Sequence, residues 1–144
     1  MTLPELENLV TSGDLQRELP DATEIEGLLN AAGIRLKDAE NGELETANRF
    51  YLAYSAAHTS AVAALRVHGY RAKNRIIVFQ ALQHTVGWSP PRWRILLNAH
   101  SLRNDMDYEG VGEVDKKITE EVLKAAKELA RDVSALAKRT IYGR

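Results

Sequence analysis

The sequence predicts an all-α protein, an up-and-down four-helix bundle with one additional short helix. Three observations carry that expectation. Apolar residues recur in steps of three and four through several long stretches, the period of a helix that buries one face. Most of those stretches stop at Gly- or Pro-containing breaks, such as Asn41-Gly42, Gly69 and Gly87 to Pro91. The connections between them are short, which favours antiparallel neighbours. A chain of 144 residues suits one hydrophobic core, and the expected organisation is an N-terminal arm over 1–20 followed by a single bundle domain over 21–144.

Within the arm, Leu3, Leu6, Leu9 and Val10 line one short helix stopped by Ser12-Gly13, and a second apolar set, Leu15 and Leu19, ends at Pro20. Asp21 or Thr23 caps the next helix, whose first turn carries Glu24 and Glu26, favourable near the positive end of the helix dipole. Its apolar positions are Ile25, Leu28, Leu29, Ala32 and Leu36, and it ends near Glu40. The longest helix runs from about Glu43 to His68, with Gly69 as its stop. Its middle is rich in Ala and Ser, which lets neighbouring helices approach closely. Residues from Asn74 to Thr85 read as a shorter helix, because their length outweighs the strand-like run Ile76 to Phe79. Ser89 and Pro90 open another, carrying Trp93, Leu96, Leu97, His100 and Met106 until Glu109 to Gly112 break it. Asp115 caps the last helix, which reaches about Arg139 on a seam of Ile118, Val122, Ala125, Leu129, Val133 and Leu136. Its opposite face is charged and reads as solvated.

Composition removes several kinds of chemistry. The chain has no cysteine, which excludes disulfides, thiolate nucleophiles and Cys-based zinc sites. Its net charge of −1 gives no overall attraction to nucleic acid or anionic lipid, although a local patch is still allowed. The N-terminus lacks the basic and apolar regions of a signal peptide, and no window reaches the roughly 20 apolar residues of a membrane span. A cytoplasmic protein with no membrane partner is expected. His58, His68, His84 and His100 form no helical metal-ligand pair, and Gly110-Val111-Gly112 lacks the strand and lysine of a phosphate loop. Neither a metal nor a cofactor is expected.

One stretch concentrates polar chemistry: Leu102-Arg103-Asn104-Asp105-Met106-Asp107-Tyr108. On a helix Arg103 pairs with Asp107, and Asn104 lies beside Tyr108. Such a cluster either fixes helix register or a dimer seam, or it holds a phosphate. In the second case Arg103 binds the phosphate, Asn104 orients it, and a group within hydrogen-bond reach moves a proton. Tyr108 is a poor proton carrier because a phenol ordinarily stays protonated. His100, one helical turn before Arg103, is the better candidate.

Two segments together resemble the HEPN superfamily, and in particular its small prokaryotic members encoded beside minimal nucleotidyltransferases. Ala53-Tyr54-Ser55-Ala56-Ala57-His58-Thr59, followed by Gly69-Tyr70, resembles that family's A-Y-Y-A-A-F-H helix and glycine turn. Leu102 to Tyr108 resembles its closing L-R-x-x-x-D-Y, and helix order agrees over about residues 22–138. The resemblance implies a bundle of four main helices plus a shorter one, usually a homodimer. Many members are metal-independent ribonuclease toxins with an R-x(4–6)-H motif, whose sites form across the dimer interface. Arg103 and Asn104 match the first two positions, whereas Tyr108 stands where His is expected. Arg94 to His100 also fits a loose R-x(5)-H spacing, but Ile follows its Arg and the run reads as core helix. The resemblance thus implies ligand-binding roles for Arg103, Asp107, Tyr54 and His58, and makes Arg103, Asn104, His100 and Tyr108 the catalytic candidates.

The missing His favours a binding or regulatory module over an enzyme. Such a module is expected to be homodimeric and to act with a nucleotidyltransferase-type partner protein, a nucleotide or RNA, in a toxin–antitoxin or defence setting. The alternative is a metal-independent endoribonuclease using Arg103, Asn104 and His100 or Tyr108. A third reading makes the turn Trp88 to Trp93 a surface for a partner protein.

Overall fold

One long helix organises the molecule. The computed structural model describes residues 3–109 and 114–142, with backbone only at Tyr108, Glu109 and Tyr142. Helices α1 (Pro4–Thr11), α2 (Ala22–Ala39) and α3 (Thr46–His68) are followed by α4 (Arg75–Gln80), α5 (Leu82–Thr85), α6 (Pro90–Asn104) and α7 (Lys116–Ala137). Strands β1 (Leu15–Arg17) and β2 (Tyr70–Ala72) make a small antiparallel pair. The class is all-α, and no helix among the described residues is long and apolar enough to cross a membrane.

The 23 residues of α3 span about 34 Å at the rise of an α-helix. Its small residues Ala53, Ala56, Ala57, Ala61, Ala63 and Ala64 are all fully buried, so neighbours approach on more than one side. Helices α2 and α7 pack most closely against it, and α4 packs on α6 along another flank. Polar contacts give the directions. Arg66 meets Glu24, Arg35 meets Thr59 and Arg49 meets Ala39, so α2 and α3 are antiparallel. Tyr51 meets Asp107 and Tyr54 meets His100, so α6 also opposes α3.

Local signals set most ends. The Asp21 carboxylate accepts from the backbone N–H of Thr23 and Glu24, and Asp115 accepts from that of Ile118. Gly69 ends α3 with φ of 88°, a left-handed conformation that suits glycine. The chain then returns as β2, with Leu15 opposite Ala72 and Arg17 opposite Tyr70.

Several expectations need correction. Residues 15–17 are a strand paired to 70–72, which stitches the N-terminal segment to the end of α3. Leu19 is not in the core, being 87% exposed. The segment from Asn74 to Thr85 is two short helices meeting at Ala81. Ile118, expected in the core seam, is 36% exposed. Trp88 and Trp93 are buried, and the Trp88 indole N–H donates to Asp132 at 2.9 Å, so these rings are packing rather than an open partner surface. The α-helix that was expected to carry Leu102 to Tyr108 stops at Asn104 and continues as a π-helical turn, Asp105–Glu109. The break expected at Gly110 to Gly112 lies outside the described residues.

Candidate functional site

Tyr51, Tyr54, Ser55 and His58 follow one another at helical spacing and form a stripe along α3. Arg103 from α6 and Arg75 from the first turn of α4 close over that stripe. These six residues line a cleft of about 240 Å³. Asn74 fixes Arg75 there, because its side chain accepts from the Ile77 N–H and starts α4 at the next residue.

The floor is a chain of hydrogen bonds. Arg75 Nη1 donates to the Tyr54 hydroxyl at 3.2 Å, and that hydroxyl lies 3.0 Å from His100 Nδ1. Asn104 Nδ2 donates to His100 Nε2 at 3.3 Å. With Nε2 accepting, the proton of the neutral ring sits on Nδ1 and points at the Tyr54 oxygen. Tyr54 therefore receives two donors, and both nitrogens of His100 are engaged. The Tyr54 ring lies parallel to those of His58 and His100 and packs against Phe79.

Arg103 sits at the rim. Its Nε is 3.3 Å from Asp107 Oδ2, and its guanidinium carbon lies 5.8 Å from the centre of the Tyr54 ring. Tyr51 donates to Asp107 Oδ1 at 2.8 Å. That carboxylate holds the Tyr51 phenol above its ordinary pKa, reinforced by partial burial. The Arg103–Asp107 pair is half-exposed, so the desolvation cost that makes buried charge expensive is largely avoided.

The imidazoles are neutral near pH 7. Burial, and then the nearby charges of Arg75, His100 and Arg103, push His58 down to about 4. Burial, Arg75 and Arg103 lower His100 in the same direction. His58 is half-buried, and its ring nitrogens make no hydrogen bond to any described residue. It is the polar group in the cleft best placed to receive a ligand.

The structure thus brings together Arg103, Asn104, His100, Asp107, Tyr54 and His58. The side chain of Tyr108 lies outside the described residues. Asn104, expected beside Tyr108, is bonded to His100. Arg75, Tyr51 and Ser55 were missed by sequence reasoning. Tyr51 and Ser55 were legible as the continuation of the stripe through Tyr54 and His58, whereas Arg75 arrives through the turn after β2. Among the described residues, no group of three or more His, Asp or Glu is arranged to hold a metal ion. No protein-family model matches the chain, and no curated protein matches it.

Proposed function

We propose that the cleft between α3, α4 and α6 binds a phosphate-bearing ligand, a nucleotide or RNA, and that the protein is a HEPN-like binding or regulatory module. The observation that carries this reading is unbalanced charge. Arg75 and Arg103 both face the cleft, and among the described residues the only carboxylate in ion-pair contact with either is Asp107. Among the described residues, Arg75 has only the Tyr54 oxygen. Guanidinium groups bind phosphate bidentately, and the accessible rings of Tyr51 and His58 offer a surface for a base. A homodimer, a nucleotidyltransferase-type partner and a toxin–antitoxin or defence role belong to the same proposal through the motif resemblance. Mass in solution tests the first of these.

The direct test is fluorescence anisotropy with a short 5′-phosphorylated single-stranded RNA at low salt. Binding should weaken as salt rises, because counterions are released from the strand. Arg103→Ala should lower the affinity about tenfold, the worth of one charge-assisted phosphate contact. No binding at high protein concentration would refute the reading.

A metal-independent endoribonuclease is the second reading. It draws on the convergence of Arg103, Asn104 and a neutral His100 at one end of α6. Against it stands the engagement of both His100 nitrogens inside the protein, which leaves no free base there. Incubation with structured RNA in EDTA separates the two. Cleavage that disappears in Arg103→Ala would establish the enzyme, and intact RNA would leave the binding module.

A further inference from the structure

A second cleft, of about 250 Å³, opens directly beside the first. His58 and Arg75 line both. The stripe on α3 runs on through Val62 to Leu65, so the two clefts lie end to end along one helix face. From Tyr51 to Leu65 that face is about 21 Å long at the helical rise. Each cleft alone is smaller than the roughly 300–1,000 Å³ of a typical small-molecule pocket, and together they reach it.

The two clefts differ in chemistry. The first is walled by phenols, two guanidinium groups and an imidazole. The second has a partly exposed apolar wall at Val62 and Ala72, backed by the buried Leu65 and Val78, and a basic rim at Lys73. Lys73 forms no ion pair with any described residue. Arg71 also reaches this cleft but is held by Glu18 and Glu24 at 2.6 and 2.8 Å, so it is not a free cation. Arg75 stands at the junction, with one cleft on each side.

We propose that this second cleft is the subsite for the flat, weakly polar group of a phosphate ester, with the phosphate anchored on Arg75 at the junction. The inference rests on the proposed phosphate-binding cleft and narrows its ligand class. Inorganic phosphate or a bare sugar phosphate leaves the apolar wall in water, whereas a nucleotide covers it with its base. The base edge lies within reach of His58, whose unengaged nitrogens supply a donor and an acceptor. Lys73 then faces either a second phosphate or solvent. Free nucleotides and the terminal nucleotide of a strand share this chemistry.

Calorimetric titration of the wild-type protein with AMP and with ribose 5-phosphate isolates the base, since the two carry the same phosphate ester. AMP should bind about tenfold more tightly. Val62→Trp, which fills the second cleft from its half-buried wall, should erase that difference and leave ribose 5-phosphate binding unchanged. Equal affinity for the two ligands in the wild type would overturn the subsite while leaving the phosphate cleft standing. Failure of both to bind would overturn the subsite and the phosphate cleft together. A 5′-phosphorylated five-nucleotide RNA that binds more tightly than AMP assigns the subsite to a strand end, and equal binding assigns it to the free nucleotide.

Discussion

Two arginine clusters sit on α3 and its flanks, and they are built to opposite ends. Around Arg66, which is 1% exposed, every donor is answered. Its Nε meets Glu24 at 2.7 Å, its Nη1 donates to the Glu18 carbonyl at 2.8 Å, and its Nη2 donates to the Leu19 carbonyl at 2.6 Å. The Glu18 carboxylate also lies 3.4 Å from Arg66 Nη2, and Arg71 shares the carboxylates of Glu18 and Glu24. Around Arg75 and Arg103, among the described residues, one carboxylate pairs with Arg103, none pairs with Arg75, and the remaining neighbours are neutral imidazoles and phenols. The first cluster closes on itself and fastens the N-terminal segment to the end of α3. The second leaves donors facing a cleft. Saturation marks a structural network, and unanswered charge beside an open volume marks a place for a ligand.

The largest expected effect breaks the saturated side. Arg66→Met removes one partner of a buried ion network and leaves three backbone carbonyls, those of Glu18, Leu19 and Tyr70, and the Glu24 carboxylate without it. The cost should be about 3 kcal/mol, the lower end for such a removal because the carboxylates are partly exposed. Thermal melting should show a Tm lower by roughly 10 °C. Arg75→Ala, on an exposed residue, should change stability by less than about 0.5 kcal/mol. A comparable loss in both variants would erase the distinction between the clusters.

Acid should separate the clusters by pH window. His58 is held at about 4 against an ordinary value of 6.5, so below 6.5 the unfolded chain takes a proton that the folded chain refuses. Stability supplied by the neutral ring is therefore lost as pH falls from 6.5 toward 4. His100 and His68 are lowered too, so His58→Gln should shrink the loss in this window without abolishing it. Glu24 and Glu18 are held below the ordinary carboxylate value of 4.5 by Arg66 and Arg71. Their contribution persists above 4.5 and is lost as pH falls through their lower folded values. Arg66→Met should shrink the loss in that lower window without abolishing it, because Arg71 still holds both carboxylates and Glu7 is lowered by Arg17 as well. Urea midpoints measured across pH 7 to 3 read both.

The imidazole itself gives a finer probe. A phosphate placed beside His58 should raise its pKa from about 4, because the anion favours the protonated ring. Titration of its ring proton by NMR, with and without AMP, reads the shift. The smallest expected effect is Tyr51→Phe, which deletes the half-exposed hydrogen bond to Asp107 and should cost about 0.5 kcal/mol.

Much of this was legible in the sequence, and what was not has a physical cause. Asp21, Asp115 and Gly69 announce helix ends because their signals are local: a side-chain acceptor for free N–H groups, and a residue that tolerates positive φ. The polar cluster from Arg103 to Asp107 was legible through its i, i+4 spacing. Leu15 to Arg17 was not, since three residues carry no strand period and the pairing with Tyr70 to Ala72 is long-range. Ile118 follows the right spacing, yet it lies in the first turn of α7 and stays 36% exposed. Arg75 escaped for a related reason. Nothing in Asn74-Arg75-Ile76 marks a site, and only the return of the chain after β2 carries that guanidinium to Tyr54.

The contrast between the clusters is tested most directly by one pair of measurements on Arg75→Ala: the affinity for AMP by calorimetry and the melting temperature of the same sample. The expected result is a loss of affinity of about tenfold or more with an unchanged Tm, because Arg75 holds a ligand rather than the fold. Undiminished affinity, or a fall in Tm as large as that of Arg66→Met, would contradict it.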